Sequence, residues 1–504
     1  MKPKQNIRGR ALLIGTVIFI SYAYFYEAGG WNQNSRFDMV RAVLDQHSLS
    51  IDAYHENTQD KALSQGHYYS DKAPGLALLA VPVAAAARPL LHAVGVDPVS
   101  PRGLQVTSYV ITVFAVSLPT ALACACLFLI ALQLGGTVDG AAFAALGMGL
   151  ATPMWAYATL FWGHALAGAC LIFGFAAALL LRESWNSASD LLWGLVVGLF
   201  AGWATVSEYP AAPASAILAV LALAIVWPNR ARRWRVAFGV GAGAIACVAV
   251  LMFYQYRAFG SAIHPSYSYY QEGAFPWMKH GYMGLTYPRI DVMFKLLFGC
   301  RRGLFFMAPF LVTAPFGLRI LWKDKNNFTR FAGIAAAAIA VYYFLFNASF
   351  YVWTAGWSYG PRYMAAGIPL LCVGLAPSWD RARPLWKKML VTMTVCGGLF
   401  ALMAVSTTPQ PPDQYHCPLM QLIIPSFWAG KFALTRGSML TAAEDVPFGS
   451  HGAFNLGQLL GLHGLASLIP LLVLWGLAFF LWKRLNSASV TAQFERRSPQ
   501  PNAR

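Results

Sequence analysis

Acidic and basic side chains are most concentrated in one polar stretch, Trp31 to Gly75, which follows the first apolar run of the chain. The titratable residues in this stretch include Arg36, Asp38, Asp52, His55, Glu56, Asp60, Lys61, His67, Asp71 and Lys72. Charged residues make up only 11% of the whole chain, so we expect any ionic chemistry to begin here. A carboxylate can take a proton from a reacting hydroxyl, and a lysine or arginine can hold phosphate oxygens. The alternative interpretation is a solvated loop closed by ion pairs.

The end of this polar stretch is a candidate binding site. Asp71 and Lys72 follow Tyr69 closely and stand directly before Ala73-Pro74-Gly75. A Pro-Gly break stops the chain from continuing as regular structure, so the side chains before it can project over a site. We therefore expect Tyr69, Asp71 and Lys72 to face a ligand.

The beginning of the stretch is compatible with a helix from Ser35 to Asp45, whose apolar residues would face the membrane. Arg36 and Asp38 would then point away from lipid. Asp52 and His55 lie between the two ends and are expected to shape a pocket.

A second cluster, Trp353 to Tyr363, ends one apolar run and opens another. Its glycines allow the backbone to approach a ligand closely, and Arg362 offers a planar fork suited to phosphate oxygens. A lipid headgroup or a structural carboxylate is an equal alternative partner for Arg362. Tyr359 and Tyr363 could stack on sugar faces, but aromatic residues at this depth also form the ordinary belt at a membrane surface.

Three single residues complete the candidate set. His164 stands at the expected start of an apolar helix, although a lone histidine is often only a structural hydrogen-bonding group. Glu208 ends an apolar run, and a carboxylate so close to hydrocarbon requires a partner or a function. His264 lies in a later polar loop.

The composition requires a membrane protein. The chain has 504 residues, of which 57% are hydrophobic, and its mean hydropathy is +0.50. Apolar runs of about 18–25 residues recur along it, each long enough to cross the hydrocarbon core as a helix. Alternation typical of strands is absent, so we predict an all-α polytopic protein. The net charge of +17 lies largely in short loops and indicates orientation and lipid attraction, so we expect membrane lipids and no nucleic acid as partners.

We predict about twelve transmembrane helices within a single domain, residues 1–483, followed by a disordered cytoplasmic tail, 484–504. The basic connectors place the N-terminus in the cytoplasm. The first run, near 11–26, is read as an uncleaved span. The other expected spans are 104–133, 138–160, 163–182, 190–208, 210–227, 236–257, 303–322, 330–347, 364–378, 388–406 and 462–482. The large first loop, 31–75, and the loops 258–302, 348–363 and 407–461 are then periplasmic.

The apolar run 76–95 breaks this alternation, because the segments on both sides of it are expected outside. We predict a juxtamembrane helix that lies in the interface or re-enters, which its prolines and His92 also favour. The alternative is an error in a neighbouring pair of spans, such as 138–160 and 163–182.

The first span, the charged loop and the sequence Asp71-Lys72-Ala73-Pro74-Gly75 together resemble the GT-C membrane glycosyltransferases. The resemblance is to the branch that contains the protein O-mannosyltransferases and the lipid A aminoarabinose transferase. Two later stretches, 259–305 and 353–363, are similar to outer segments of uncharacterised bacterial members. The resemblance implies a polytopic fold and a site on the periplasmic face of the bacterial inner membrane.

In that family an acidic pair after the first span acts on the acceptor or donor sugar, and a basic residue at the loop end contacts the donor phosphate. The resemblance assigns the second role to Lys72. Where the acidic pair would fall, this chain has Asn32-Gln33, and neither amide can remove a proton. The nearest acid is Asp38, our predicted general base, with Asp52 and Asp71 as competitors. Arg362 is expected to share the phosphate with Lys72.

The predicted function is transfer of a sugar from a polyprenyl-phosphate-linked donor to an envelope glycan, lipid or protein. A flippase or transporter of lipid-linked saccharide is the first rival, although neither internal repeats nor charges at mid-membrane are evident. The second rival is an inactive relative that binds glycolipid, which the Asn32-Gln33 substitution keeps open.

No cofactor is predicted. A divalent cation is an open alternative because Asp52, His55, Asp60 and Asp71 can all ligate metals, but their spacing matches no known ligand set. Of eight cysteines, only Cys300 and Cys417 fall in expected loops. If both loops are extracytoplasmic, these two could pair, and two free thiols are an equal alternative.

Overall fold

The structure, a computed structural model, describes residues 7–184, 186–270, 275–435, 437–442 and 452–495. Helices dominate it. The α-helices are Ile7–Ala23, Trp31–Gln46, Gly75–Ala93, Pro101–Thr112, Leu118–Gln133, Val138–Leu150, Met154–Ala158, Gly163–Leu180, Ser187–Ser207, Ala212–Val226, Arg230–Phe259, Ile290–Phe298, Leu304–Met307, Ala314–Trp322, Asn327–Ser349, Ile368–Cys372, Leu375–Arg381, Pro384–Thr407, Ile424–Trp428, Leu456–Leu459 and Ile469–Glu495.

Shorter helical turns join several of these helices. The 3₁₀ segments are His55–Asn57, Leu181–Glu183, Tyr209–Ala211, Ser266–Tyr269, Pro276–Lys279, Pro309–Thr313, Arg362–Gly367 and Gly464–Leu468, and two π segments are Val113–Ser117 and Leu419–Ile423. The π segment Val113–Ser117 joins Pro101–Thr112 to Leu118–Gln133 into one continuous 33-residue helix.

In the described part of the chain, four short strands form two antiparallel pairs. Phe25–Tyr26 pairs with Phe454–Asn455 and ties the end of the first helix to a segment near the end of the chain. Lys61–Ser64 pairs with His67–Ser70 in a tight hairpin that carries the end of the polar stretch.

Within the described residues, nine helices are long and apolar enough to cross a membrane. They are Gly75–Ala93, Pro101–Gln133, Gly163–Glu183, Ser187–Ser207, Tyr209–Val226, Arg230–Phe259, Asn327–Ser349, Pro384–Thr407 and Gly464–Leu485. The chain is therefore an all-α polytopic membrane protein, as the composition predicts. Eight of the nine coincide with predicted spans. The ninth, Gly75–Ala93, is the run predicted to lie at the interface, and its length and hydropathy are also sufficient for crossing.

The remaining predicted spans are shorter or interrupted. The first helix, Ile7–Ala23, has 17 residues. Val138–Leu150 ends before Pro153, and 303–322 is divided at Pro309 because a proline has no N–H for the preceding turn. The span 364–378 is instead a 3₁₀ turn followed by two short helices.

The polar stretch is folded rather than a solvated loop. Its first part is the helix Trp31–Gln46, in which residues 32–40 are all buried. Its last part is the hairpin, which places Lys72 just before the helix Gly75–Ala93. The last helix extends to Glu495, so only residues 496–504 of the predicted tail lie outside the described residues.

Candidate functional site

A cavity of about 900 Å³ lies where the polar stretch meets the helix ends at residues 164, 208 and 362. One part of its wall is ionic and another is aromatic and apolar. The polar residues are Asn32, Gln33, Arg36, Asp60, Lys72, His164, Glu208, Arg362, Gln410 and Asp413, and the aromatic residues are Trp31, Trp162, Tyr209, Tyr267, Tyr270, Phe275, Trp277, Tyr282, Tyr342, Tyr343, Phe346, Phe350, Trp357 and Tyr363. Six predicted site residues are thus brought together: Arg36, Lys72, His164, Glu208, Arg362 and Tyr363.

Lys72 is held between two carboxylates. Its Nζ lies 2.9 Å from Asp60 Oδ2 and 2.9 Å from Asp71 Oδ2. Burial opposes a charge on Lys72, but the carboxylates outweigh it and raise the pKa of the amine. Asp71 is fully buried, and burial raises the pKa of its carboxyl to about 6 despite the lysine. Tyr270 also donates a hydrogen bond to Asp71 Oδ2, at 2.5 Å.

Arg36 and Glu208 form a second ion pair, with 2.9 Å between Nη2 and Oε1. Arg36 also donates hydrogen bonds to Asn32 Oδ1 and to the carbonyl of Ala73. It therefore joins the helix Trp31–Gln46 to the last residues of the polar stretch. Burial raises the pKa of Glu208, and the neighbouring arginine partly offsets that shift.

Two glycines allow the helix ends to meet at Glu208. A Cβ at Gly163 would lie 2.3 Å from Glu208 Oε1, and one at Gly75 would lie 2.7 Å from the backbone N of Ser207. Real Cβ atoms do not approach so closely, so both positions need glycine for this arrangement.

Arg362 differs from the other two cations. Among the described residues, no carboxylate lies within ion-pair distance of its guanidinium. Its Nε donates to His164 Nε2 at 2.9 Å, its Nη1 contacts the carbonyl of Ala355 at 3.3 Å, and the group stacks on Trp162 at 4.0 Å from the ring centre. Because His164 Nε2 accepts this bond, the neutral ring carries its proton on Nδ1, which lies 3.6 Å from Glu208.

Asp38, the predicted general base, does not line the cavity. It is fully buried behind the wall, where Oδ1 accepts a hydrogen bond from Asn57 Nδ2 at 3.1 Å and lies 3.6 Å from Arg41. Burial raises the pKa of Asp38 well above its usual range. The helix face that carries Asp38 turns toward 55–57 rather than toward the pocket.

Six further predicted residues also lie off the cavity wall. Asp71 stands directly behind Lys72. Asp52 pairs with His67 at 2.7 Å, outside the cavity. His55 stacks on Tyr68, with ring centres 4.0 Å apart. The other three are Tyr69, which packs on Phe259, His264, which is exposed, and Tyr359, which is buried.

Asp60 is the main site residue missing from the predicted set. In the hairpin Lys61 pairs with Ser70, so Asp60 is the next residue opposite Asp71 and reaches Lys72. Gln65 and Gly66, both with positive φ, form the two-residue turn. A glycine between two short β-compatible runs is compatible with a tight hairpin, and a hairpin here brings Asp60 close to Lys72.

The described residues contain no group of three His, Cys, Asp or Glu side chains placed to hold a metal ion. Four residues were named above as possible metal ligands. Asp60 and Asp71 both contact Lys72, whereas Asp52 contacts His67 and His55 contacts Lys61.

No protein-family model matches the chain, and no curated protein matches it. Among solved structures, it is similar to ArnT from Cupriavidus metallidurans bound to undecaprenyl phosphate, with a TM-score of 0.50 and 17% identity. The match covers 84% of this chain and 67% of that one. The apo state of ArnT gives a TM-score of 0.47 over the same shares. The chain therefore shares the polytopic helical membrane fold of ArnT.

Proposed function

We propose that this protein is a membrane glycosyltransferase that takes a sugar from a polyprenyl-phosphate-linked donor. The observation that carries the proposal is Arg362, a cation at the cavity wall that no carboxylate of the described residues contacts directly, since Glu208 approaches it only through His164. A charge placed beside an apolar cavity without a counter-ion is costly unless a ligand supplies one. A phosphate does so, and the planar guanidinium suits it.

Lys72 provides the second phosphate contact. Asp60 and Asp71 neutralise it, so a donor phosphate would exchange with the Asp60 carboxylate at Nζ. That exchange leaves Asp60 at the cavity wall without its cation. A carboxylate released in this way is a better proton acceptor than one held in an ion pair.

Asp60 is accordingly our choice for the general base, in place of Asp38. The acceptor hydroxyl gives its proton to Asp60 while its oxygen attacks the anomeric carbon of the donor sugar. The bond from that carbon to the phosphate oxygen breaks, and Arg362 and Lys72 stabilise the negative charge on the departing polyprenyl phosphate. Glu208 acts as a positioning residue, because it holds Arg36 and faces the proton on His164.

The two parts of the cavity wall fit the two parts of such a donor. The apolar part, which includes Tyr342, Phe346 and Phe350, can take the polyprenyl chain, and the ionic part takes the phosphate and sugar. ArnT, which has the same fold, binds undecaprenyl phosphate. We place the cavity at the periplasmic face of a bacterial inner membrane, where the acceptor is an envelope glycan, lipid or protein.

Purified protein incubated with polyprenyl-phosphate donors carrying a radiolabelled sugar tests the proposal. We expect label to move to an acceptor or to water in the wild type, and Arg362→Ala to lower apparent donor affinity by about 10-fold or more, as for a lost charged hydrogen bond. Lys295→Ala is the matched control, since this exposed lysine pairs with Asp291 and does not line the cavity.

Movement of intact donor across a vesicle membrane without bond cleavage would support the flippase instead. Binding of donor without transfer, hydrolysis or movement would identify an inactive relative. Unchanged donor affinity in folded Arg362→Ala would remove the phosphate assignment.

A further inference from the structure

Two cysteines from distant parts of the chain lie close together, near residues that line the cavity. Cys300 lies between the helices Ile290–Phe298 and Leu304–Met307, and Cys417 follows the helix Pro384–Thr407. The Sγ of Cys300 lies 3.5 Å from the carbonyl O of His416, and the Sγ of Cys417 lies 3.8 Å from the carbonyl O of Cys300. Each thiol therefore contacts the backbone beside the other.

The neighbouring thiol also affects the ionisation of Cys300. Burial and a hydrogen bond with the thiol of Cys417 raise the pKa of Cys300 to about 11. Both residues are partly exposed, so a soluble reagent can reach them. The other six cysteines all lie within apolar helices: Cys124, Cys126, Cys170, Cys247, Cys372 and Cys396.

Polar contacts beside the cysteines already join the same two segments. Arg301 Nη2 lies 2.9 Å from Asp413 Oδ1 and 2.9 Å from the Asp413 carbonyl. The neighbouring Arg302 is buried and donates to the carbonyl oxygens of Thr354 and Gly356. Asp413 and Gly356 both line the cavity, so this junction holds part of its rim.

We propose that Cys300 and Cys417 form a disulfide that fixes the rim of the cavity. The reaction needs a disulfide-carrying oxidant of an oxidising compartment. One cysteine thiolate attacks that disulfide to give a mixed disulfide, and the other then displaces the oxidant. The new S–S bond thus forms as the oxidant is reduced to a dithiol, which retains the two hydrogens.

The disulfide would have two consequences. It closes a segment of more than a hundred residues, and a cross-link over so long a loop restricts the unfolded chain strongly. It also identifies the compartment of the cavity, because such bonds persist outside the cytoplasm. The rim would then face the periplasm, which agrees with the proposed orientation without depending on the transfer reaction.

The test is a thiol map of the wild-type protein in membranes from acid-quenched cells. Free thiols are blocked with a small maleimide, then disulfides are reduced and the released thiols are labelled with a second reagent. We expect the second label on Cys300 and Cys417, and a cross-linked peptide pair containing both in an unreduced digest. The first label on both residues in the wild type would overturn the proposal.

Single variants sharpen this test. Cys300→Ser should leave Cys417 open to the first label, and Cys417→Ser should do the same for Cys300. Cys396→Ser is the matched control and should leave the 300–417 peptide pair in place. A reducing agent should lower the melting temperature of the wild type but not that of the Cys300→Ser/Cys417→Ser double variant. Equal sensitivity of the two proteins would contradict the stabilising role.

Discussion

Lys72 and Arg362, two of the three cations that the described cavity wall carries, stand in opposite electrostatic settings. Lys72 has two carboxylates at 2.9 Å, whereas Arg362 contacts a histidine, a carbonyl and an indole ring. The lysine is paired directly with two carboxylates, whereas no carboxylate of the described residues lies within ion-pair distance of the arginine. The difference indicates separate roles for the two cations. Arg362 binds the anion directly, and Lys72 releases Asp60 when the anion binds.

Replacement of Asp60, whose carboxylate contacts Lys72, should have the largest effect. It should separate anion binding by Arg362 from the coupling role of Lys72. Asp60→Asn removes the proposed base and also removes one partner of Lys72. We expect kcat to fall by about 10²–10⁴-fold, the usual contribution of a general base, while donor affinity stays equal or increases. Steady-state kinetics with a radiolabelled donor measures both quantities.

Asp38→Asn is the matched control for that variant, because Asp38 is buried behind the wall. We expect it to retain transfer when the protein is folded. Loss of transfer in folded Asp38→Asn, with full activity in Asp60→Asn, would restore the base predicted from the sequence.

The buried carboxyl behind Lys72 should make stability depend on pH. The pKa of Asp71 is raised from 3.8 to about 6, so the folded state favours its protonated form. That contribution is fully present below pH 3.8 and is lost as the pH rises through about 6. Asp71→Asn should therefore raise the melting temperature at pH 7.5 by a few degrees, roughly 2–4 °C.

Thermal unfolding in detergent at pH 5 and pH 7.5 measures this effect. The difference between Asp71→Asn and the wild type should shrink at pH 5, where the wild-type carboxyl is largely protonated. A variant that is less stable than the wild type at pH 7.5 would show that the charged form of Asp71 is the favoured one.

Substitution in an exposed ion pair outside the cavity should have the smallest effect on stability and on transfer. Asp52 and His67 are 2.7 Å apart, but their side chains are 42% and 59% exposed. Such pairs contribute about 0–1 kcal/mol, so Asp52→Asn should change the free energy of unfolding by no more than that. Its transfer rate should equal that of the wild type, and a large kinetic loss would show that Asp52 reaches the substrate.

The sequence predicts the fold well because the spans are read from local hydropathy alone. The sequence also predicts that Glu208 has a partner or a function, because it ends an apolar run, and the structure pairs it with Arg36 at the cavity wall. Interrupted helices such as Val138–Leu150 were overestimated in length, because an apolar composition does not reveal where a short helix stops.

Asp38 and Asp60 show that the sequence does not determine which acidic side chains line the cavity. Asp38 was chosen because it stands nearest to the missing acidic pair, but nearness in sequence does not determine which helix face lines a pocket. The orientation of that helix depends on contacts with Asn57 and with the backbone of Met439. Asp60 reaches Lys72 only through the hairpin register, which joins residues twelve positions apart.

The most direct test of the central claim compares two ligands that differ only in the phosphate. Binding of a short polyprenyl phosphate and of the corresponding polyprenyl alcohol is measured with purified wild type and Arg362→Ala in the same detergent. Our account predicts that the wild type prefers the phosphate by at least about 10-fold, as expected for a charged hydrogen bond, and that the variant loses most of that preference. Equal affinity of the wild type for both ligands would contradict it.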